Sequence, residues 1–273
     1  MRKNRSLKVR ELRRAEWQVF QSRISGLEEG TSYPLGEDRF EIDHGEDYFD
    51  FFTRLGQLHY YVVLDGDRVI AVAAAVLRRV PPARHEKPEA VWYLCDLKVH
   101  PEYRGRFLPV AIFAHAFPKL YPISARAYAI SMDTDRERPN RVARMLSRFR
   151  LAPMSVATKL GIVSLDAERM RKVEPVLREH FGGVSYLSLA GKKDIILKSS
   201  QAPMPLLHVQ FGPCAEQGHT EPIDDCVHMF CVSIDHPLLE VLKQQAIYPS
   251  ATATVVHHRM EKWDWEFILT SDI

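Results

Sequence analysis

The segment Tyr93-Leu94-Cys95-Asp96-Leu97-Lys98-Val99-His100-Pro101-Glu102-Tyr103-Arg104-Gly105-Arg106 joins an apolar strand, a tight turn and the start of a helix. That geometry presents backbone N–H groups to an anion at the helix N-terminus. Arg104 and Arg106 add charge where a phosphate would lie. Other clusters compete for attention. Cys214, His219, Cys226, His228 and Cys231 are ligand types that suit zinc, but they lack paired Cys-x2-Cys units. On a strand, Cys226 and His228 would share one face and Cys231 the other. Buried free cysteines are therefore expected, and no metal site is assigned. His257, His258 and Glu261 form an end-of-strand cluster and do not follow the His-Glu-x-x-His helix pattern. Arg136, Arg138, Arg141, Arg144, Arg148 and Arg150 crowd one region, with Arg141, Arg144 and Arg148 on one helical face. A solvated face paired with Asp133, Asp135 and Glu137 is preferred there over a site for a phosphate or an acidic partner.

The elements that must position these residues alternate between strand and helix. Strands are expected over 7–12, 60–64, 68–77, 90–99, 123–132 and 154–165, and helices over 13–24, 46–55, 108–117 and 140–149. Asp65-Gly66-Asp67 between apolar runs predicts a hairpin. Pro109 falls in a helix's first turn, where a missing N–H does no harm. Beyond residue 165 the spacing predicts a helix over 166–180 with Asp166 as N-cap, strands over 184–189, 194–198, 206–211 and 227–234, a helix over 237–247, and strands over 251–258 and 263–270. No repeat of fixed period is visible. The pattern implies an α/β protein, with a boundary near 165.

Composition excludes several classes. Of 273 residues, 46% are hydrophobic and 26% charged, which rules out general disorder. Lys plus Arg total 37 against 35 Asp plus Glu, a net charge of +2, so neither a nucleic-acid coat nor a membrane-surface protein is expected. The longest apolar run, 69–77, is far short of a spanning helix. The basic start (Arg2, Lys3, Arg5, Lys8, Arg10, Arg13, Arg14) has no apolar signal core after it and reads as a frayed, solvated arm. Four cysteines in a chain of this length fit a reducing, cytoplasmic setting.

The run Leu97-x-Val99-x-Pro101-x-Tyr103-Arg104-Gly105-Arg106-Phe107-Leu108-Pro109 resembles the central signature of the GNAT superfamily of acyl-CoA-dependent N-acyltransferases. Asn140-x-x-Ala143-x-x-Leu146-Ser147 resembles a second family element, at a fitting distance. The resemblance covers roughly residues 6–165. It implies a GNAT-like twisted mixed sheet flanked by helices over 1–165, followed by a C-terminal α/β region, 166–273, which would be a second lobe, a substrate lid or a dimerisation element.

The resemblance also implies a site. The strand at 93–99 would splay from that at 123–132, with backbone near Leu97 and Val99 holding the pantetheine arm and acyl carbonyl. Amides of Arg104, Gly105, Arg106, Phe107 and Leu108 would hold the pyrophosphate, and Asn140 the pantetheine or acceptor side. Phe107 and Pro109 replace two family glycines, so the loop is degenerate: a phenylalanine side chain obstructs close approach, and proline offers no N–H. Ser147 stands where the family often has a tyrosine that protonates the leaving thiolate. Asp96 is the first candidate base, followed by His100 and Asp133, and Tyr128 is the candidate acid. For Asp96 a purely structural carboxylate competes with that role.

The function implied is transfer of an acyl group, foremost acetyl from acetyl-CoA, to a small-molecule or peptide amine by direct attack. The alternative is a catalytically degenerate GNAT fold acting as a binding or regulatory module. A third reading, a longer acyl chain or a carrier-protein donor, would be favoured by an apolar tunnel wider than acetyl requires. Acceptor identity and homodimer formation stay open.

Overall fold

The computed structural model describes residues 7–27, 31–134 and 140–273. Arg2, Lys3, Arg5, Asp135, Arg136, Glu137 and Arg138, invoked above, lie outside them. The N-terminal part runs β1 (Lys8–Leu12), α1 (Trp17–Ser25), β2 (Tyr33–Leu35), β3 (Asp38–Asp43), α2 (Asp50–Leu55), β4 (Gln57–Asp65), β5 (Arg68–Val80), β6 (Glu89–Val99), α3 (Leu108–Leu120), β7 (Ala127–Met132), α4 (Arg141–Leu146) and β8 (Ser155–Leu165). There follow α5 (Ala167–Phe181), β9 (Val184–Leu187), β10 (Asp194–Leu197), β11 (Leu206–Phe211), β12 (Val227–Ser233), α6 (Pro237–Gln244), β13 (Ala251–His258) and a 3-10 turn, Thr270–Asp272. Among the described residues no helix is long and apolar enough to cross a membrane.

Ten strands form one mixed, mostly antiparallel sheet in the order β1-β4-β5-β6-β7-β13-β8-β12-β11-β9. Its centre is buried on both faces because helices cover both. On one face Leu108, Ile112, Ala116 and Leu120 of α3 recur at helical spacing and pack on Tyr61, Val63, Ile70 and Trp92. On the other, Phe20 and Ile24 of α1 and Phe51, Phe52 and Leu55 of α2 pack on Tyr60, Val62 and Tyr93. The hairpin at Asp65–Arg68 forms as expected, with Gly66 at φ 62° supplying the left-handed residue its turn needs. Asp166 caps α5 by accepting from the Arg169 N–H at 2.7 Å.

Two expectations fail. The run 263–270 alternates Trp263, Trp265 and Phe267 with polar residues, yet it is not a strand. Trp265 takes φ 65°, and all three rings are buried in an irregular plug. The rings pack on one another, Phe267 lying 5.7 Å from Trp263 and 5.9 Å from Trp265, so the alternation marks one buried cluster and no strand pairing. The first four residues of the expected strand 123–132 are instead turn, and β7 begins at Ala127. The hairpin of β2 and β3 was not anticipated. It pairs with β10 in a second, three-stranded sheet, β10-β3-β2.

The two parts of the chain exchange strands. Each contributes a strand–helix–strand unit, β7-α4-β8 and β12-α6-β13. The last strand of each lies beside the first strand of the other: β13 pairs with β7, β8 pairs with β12, and β13 and β8 pair with each other. The topology repeats a strand–helix–strand unit that no sequence period displays.

The C-terminal turn locks the parts together. Arg78 of β5 is buried and donates to Asp272 Oδ2 at 3.0 Å, while Tyr93 Oη donates to the Asp272 carbonyl at 2.9 Å. Removing one member of a buried ion pair strands the other charge in a low dielectric. Asp272→Ala should therefore cost about 3–5 kcal/mol in urea denaturation, and adding Arg78→Met to it should restore most of the loss.

Candidate active site

Strands β6 and β7 run parallel and pair only over Trp92–Ala127, Tyr93–Tyr128 and Leu94–Ala129. Beyond Leu94 they part. The cause is visible on the other edge of β6, where Ala74 faces Cys95 but Val72 faces Lys98. Asp96 and Leu97 thus oppose one residue of β5, a β-bulge that bends the strand. Asp96 takes φ 52° at this bulge. Its carboxylate is held on three sides: Oδ2 accepts from Tyr48 Oη at 2.8 Å and Tyr60 Oη at 2.6 Å, and Oδ1 meets Lys98 Nζ at 2.5 Å.

The fork opens a cavity of about 620 Å³ that reaches both faces of the sheet. On the α3 face it is lined by Arg104, Pro109, Ile112, Phe113, Phe117, Tyr121 and Phe149. On the opposite face lies a chamber with Tyr33, Phe40 and Ile42 from the hairpin, Phe51 and Phe52 from α2, and Lys193, Ile195, His208 and Met229 from the C-terminal part. Leu97, Lys98, Ser131 and Asn140 stand at the fork between them.

The expected site residues divide between wall and scaffold. Asp96, Leu97, Arg104 and Asn140 line the cavity; Val99, Gly105, Arg106, Phe107 and Leu108 do not. Leu108 is buried against the sheet, and the Arg106 guanidinium lies 4.7 Å from the centre of the Tyr103 ring. Phe107 does not obstruct the loop. It takes the left-handed conformation of the glycine it replaces, φ 56° and ψ 25°, and its side chain points to solvent, 77% exposed. Leu108 and Val110 keep first-turn N–H groups that α3 does not use, and Pro109 has none. Asn140 caps α4 through Oδ1 and gives Nδ2 to Asp133 Oδ1 at 2.9 Å. Asp133 also accepts from Thr252 and Thr254 of β13, so it ties the exchanged strand to α4.

The structure does not bring Tyr128 to the cavity. Its ring is fully buried, stacked on Tyr93 at 4.9 Å, and its hydroxyl accepts from Arg78 at 2.8 Å. Burial pushes its phenol well above the ordinary value. His100 is likewise outside the wall, its Nε2 2.6 Å from Arg68. Ser147 donates to the Arg144 carbonyl at 3.0 Å and closes the end of α4. Arg141 lines the cavity; Arg144 and Arg148 do not. Among the described residues no three His, Cys, Asp or Glu side chains are grouped to hold a metal ion.

Residues 11–108 match the family model described as the acetyltransferase (GNAT) family. That match spans 98 of the 273 residues. An uncharacterised protein of Acanthamoeba polyphaga mimivirus is 25% identical over 235 residues, covering 83% of this chain and 68% of that one. A tandem GNAT protein from the clavulanic acid biosynthesis pathway is similar in fold, with a TM-score of 0.55 at 13% identity, over 93% of this chain and 99% of that one. That likeness in fold spans both parts of the chain, and the parallel strand pairs in the two parts are packed differently. In the C-terminal half β11 and β12 also pair in parallel for three residues. No helix joins them, and the space beyond is filled by Val209, Phe211, Phe230 and Val232 against Phe181, which stacks on Phe211 at 4.2 Å.

Sequence reading missed Lys193. It follows the turn Gly191-Lys192 and looks like any solvated loop residue. In the fold it is 7% exposed, lines the chamber, and sets Nζ 4.6 Å from the Phe51 ring centre. The turn is fixed by close approach: a Cβ on Gly45, at φ 65°, would lie 1.9 Å from the Gly191 carbonyl oxygen. Burial, with the Arg54 charge behind it, pushes the Lys193 ammonium down from its ordinary 10.5 to about 7, against the pull of Asp272 and Cys95. Cys95 is no nucleophile here, since burial and then Asp96 push its thiol well up.

Two outcomes follow. Below about pH 7 both folded and unfolded chains carry the Lys193 proton, and the folded state bears the full cost of the buried charge. Between 7 and 10.5 only the unfolded chain binds it, so stability rises with pH. Lys193→Met should be more stable than the parent at pH 6.5, by up to roughly 4 kcal/mol at 1.36 kcal/mol per pKa unit, and the gap in urea midpoints should close towards pH 10.5. Phe107→Gly exchanges a left-handed cost of about 1–2 kcal/mol for a glycine entropy cost of about 0.5–1, so its thermal midpoint should match or exceed the parent's.

Proposed function

We propose that this chain transfers an acyl group from acyl-CoA to an amine at the fork between β6 and β7. One observation carries the reading: two strands that should pair instead part over a bulge, and their unpaired edges face a cavity with a helix N-terminus at one end and an apolar chamber at the other. Unpaired backbone groups of this kind need a polar partner, and an extended amide-bearing pantetheine arm supplies one. The amides opening α3 and the Arg104 guanidinium would take the diphosphate, with the exposed ring of Phe107 clear of it. The thioester would then sit near Leu97 and Asn140, open to an amine arriving from the chamber. Asp96 would act by holding the bulge through Tyr48, Tyr60 and Lys98. Residues 1–165 would bind the donor, and residues 166–273 would build the acceptor wall through Lys193, Ile195, His208 and Met229.

A longer acyl donor is favoured by one feature. On the α3 face the cavity continues beyond the last pair, Leu94–Ala129, past Trp92 and Ala127 to Leu120, Tyr121 and Ala125, an apolar extension larger than acetyl fills.

Calorimetric titration with acetyl-CoA should show binding. Arg104→Ala should weaken it by about 10- to 100-fold, the loss of one charge-assisted bond. No heat and no thermal shift at millimolar acetyl-CoA or octanoyl-CoA would overturn the proposal. Tight binding with no transfer to any of a panel of amines would identify a binding module, the outcome that Pro109 and Ser147 favour. A series of acyl-CoAs of increasing length should show which donor fills the extension.

A further inference from the structure

The chamber opposite the donor face has an unusual chemistry for an amine site. Its rings and aliphatic groups, Phe40, Ile42, Phe51, Phe52, Ile195 and Met229, form an apolar wall. Asp96 is the one carboxylate side chain among the described lining residues, and Lys98, Tyr48 and Tyr60 already engage it. A cation entering here would also meet Lys193, whose Nζ lies 4.6 Å from the Phe51 ring centre and has no hydrogen bond among the described residues. An apolar wall disfavours an unpaired ammonium, and a neutral amine on that wall gives its proton somewhere to go.

We propose that the chamber takes an amine with an apolar body and a single nitrogen, and that Lys193 Nζ accepts the proton this nitrogen must lose before it attacks. The inference rests on the acyl-transfer reading of the same site. Neutral Lys193 takes one proton from the incoming ammonium and becomes an ammonium itself. The freed nitrogen lone pair attacks the thioester carbonyl carbon of acyl-CoA, a C–N bond forms, and the C–S bond breaks. The second proton of the attacking nitrogen goes to the departing thiolate, giving amide and free thiol. Lys193 returns its proton to solvent and the cycle closes.

The titratable and charged groups facing Lys193 are Arg54 from α2, Asp272 from the C-terminal turn, Cys95 from β6 and His208 from β11. Together with burial they leave Lys193 poised near neutrality, where a base is most effective. His208 is the competing base on the wall. Burial, Lys193 and Arg54 push it well below its ordinary value, and its Nδ1 is already bonded to Thr270 Oγ1 at 3.1 Å, so it accepts a proton less readily.

The test uses the full chain with acetyl-CoA or octanoyl-CoA, phenethylamine and hexylamine as apolar monoamines, and spermidine as a polyamine. The monoamines should be preferred, with kcat/KM rising through a limb near pH 7. Lys193→Met should bind the acyl-CoA as the parent does, which shows that it is folded. It should lose about 10²- to 10⁴-fold in kcat/KM at pH 7.5, with the limb moved up towards the free amine's own pKa. Without donor, the Lys193 ammonium should titrate near pH 7 by NMR of 15N-lysine-labelled protein, and that titration should be missing from Lys193→Met. Turnover of Lys193→Met within threefold of the parent with an unmoved limb, a Lys193 titration near the ordinary 10.5, or a preference for spermidine would each overturn the proposal. Failure of the parent to bind any acyl-CoA would instead overturn the acyl-transfer reading, while the Lys193 titration still reports on that residue.

Discussion

The structure depends on a hydrogen-bond ladder that is deliberately left incomplete. Neighbouring parallel strands normally satisfy each other along their length, and an unpaired buried edge costs free energy. Here β6 and β7 pair for three residues and then separate. The bulge at Asp96 drives the separation, and a buried carboxylate held by two tyrosines and a lysine pins it. Asp96 in the left-handed region would be costly on its own, and its side-chain bonds over-determine the conformation.

That gap would be worthless without walls, and these come from both ends of the chain. The strand exchange puts β13 against β7 and β8 against β12, so neither half completes its sheet alone. The small sheet β10-β3-β2 does the same above the chamber, pairing a strand from the C-terminal part with a hairpin from the N-terminal part. Asp133 and Asn140 couple α4 to β13, and Asp272 couples the C-terminal turn to β5. The two parallel strand pairs are used differently. One fork is open, and the other is filled by aromatic side chains, a packing solution that removes the need for a ligand.

The local rules performed well wherever a single element decides the outcome. The Asp-Gly turn, the cap at Asp166, the alternating strands and the helical stripe of α3 are each written in a few neighbouring residues. They performed badly where distant segments decide. Trp263, Trp265 and Phe267 alternate like a strand, but they pack together in a core that only the fold assembles. The hairpin of β2 and β3 is short and weakly patterned, and it is held by β10, some 150 residues away in sequence.

The site divides in the same way. The sequence by itself determined that residues 93–109 form a strand, turn and helix start of the GNAT kind, because Pro101, Gly105 and the apolar spacing constrain the backbone locally. It also marked Asp96, Leu97, Arg104 and Asn140, which the fold gathers around one cavity. Tertiary structure alone decided that Phe107 turns outward, that Tyr128 is sealed away, and that an ordinary loop lysine at position 193 becomes a buried, near-neutral amine. The physical reason is that burial and electrostatic environment belong to no residue or motif: they are sums over neighbours that only folding brings together.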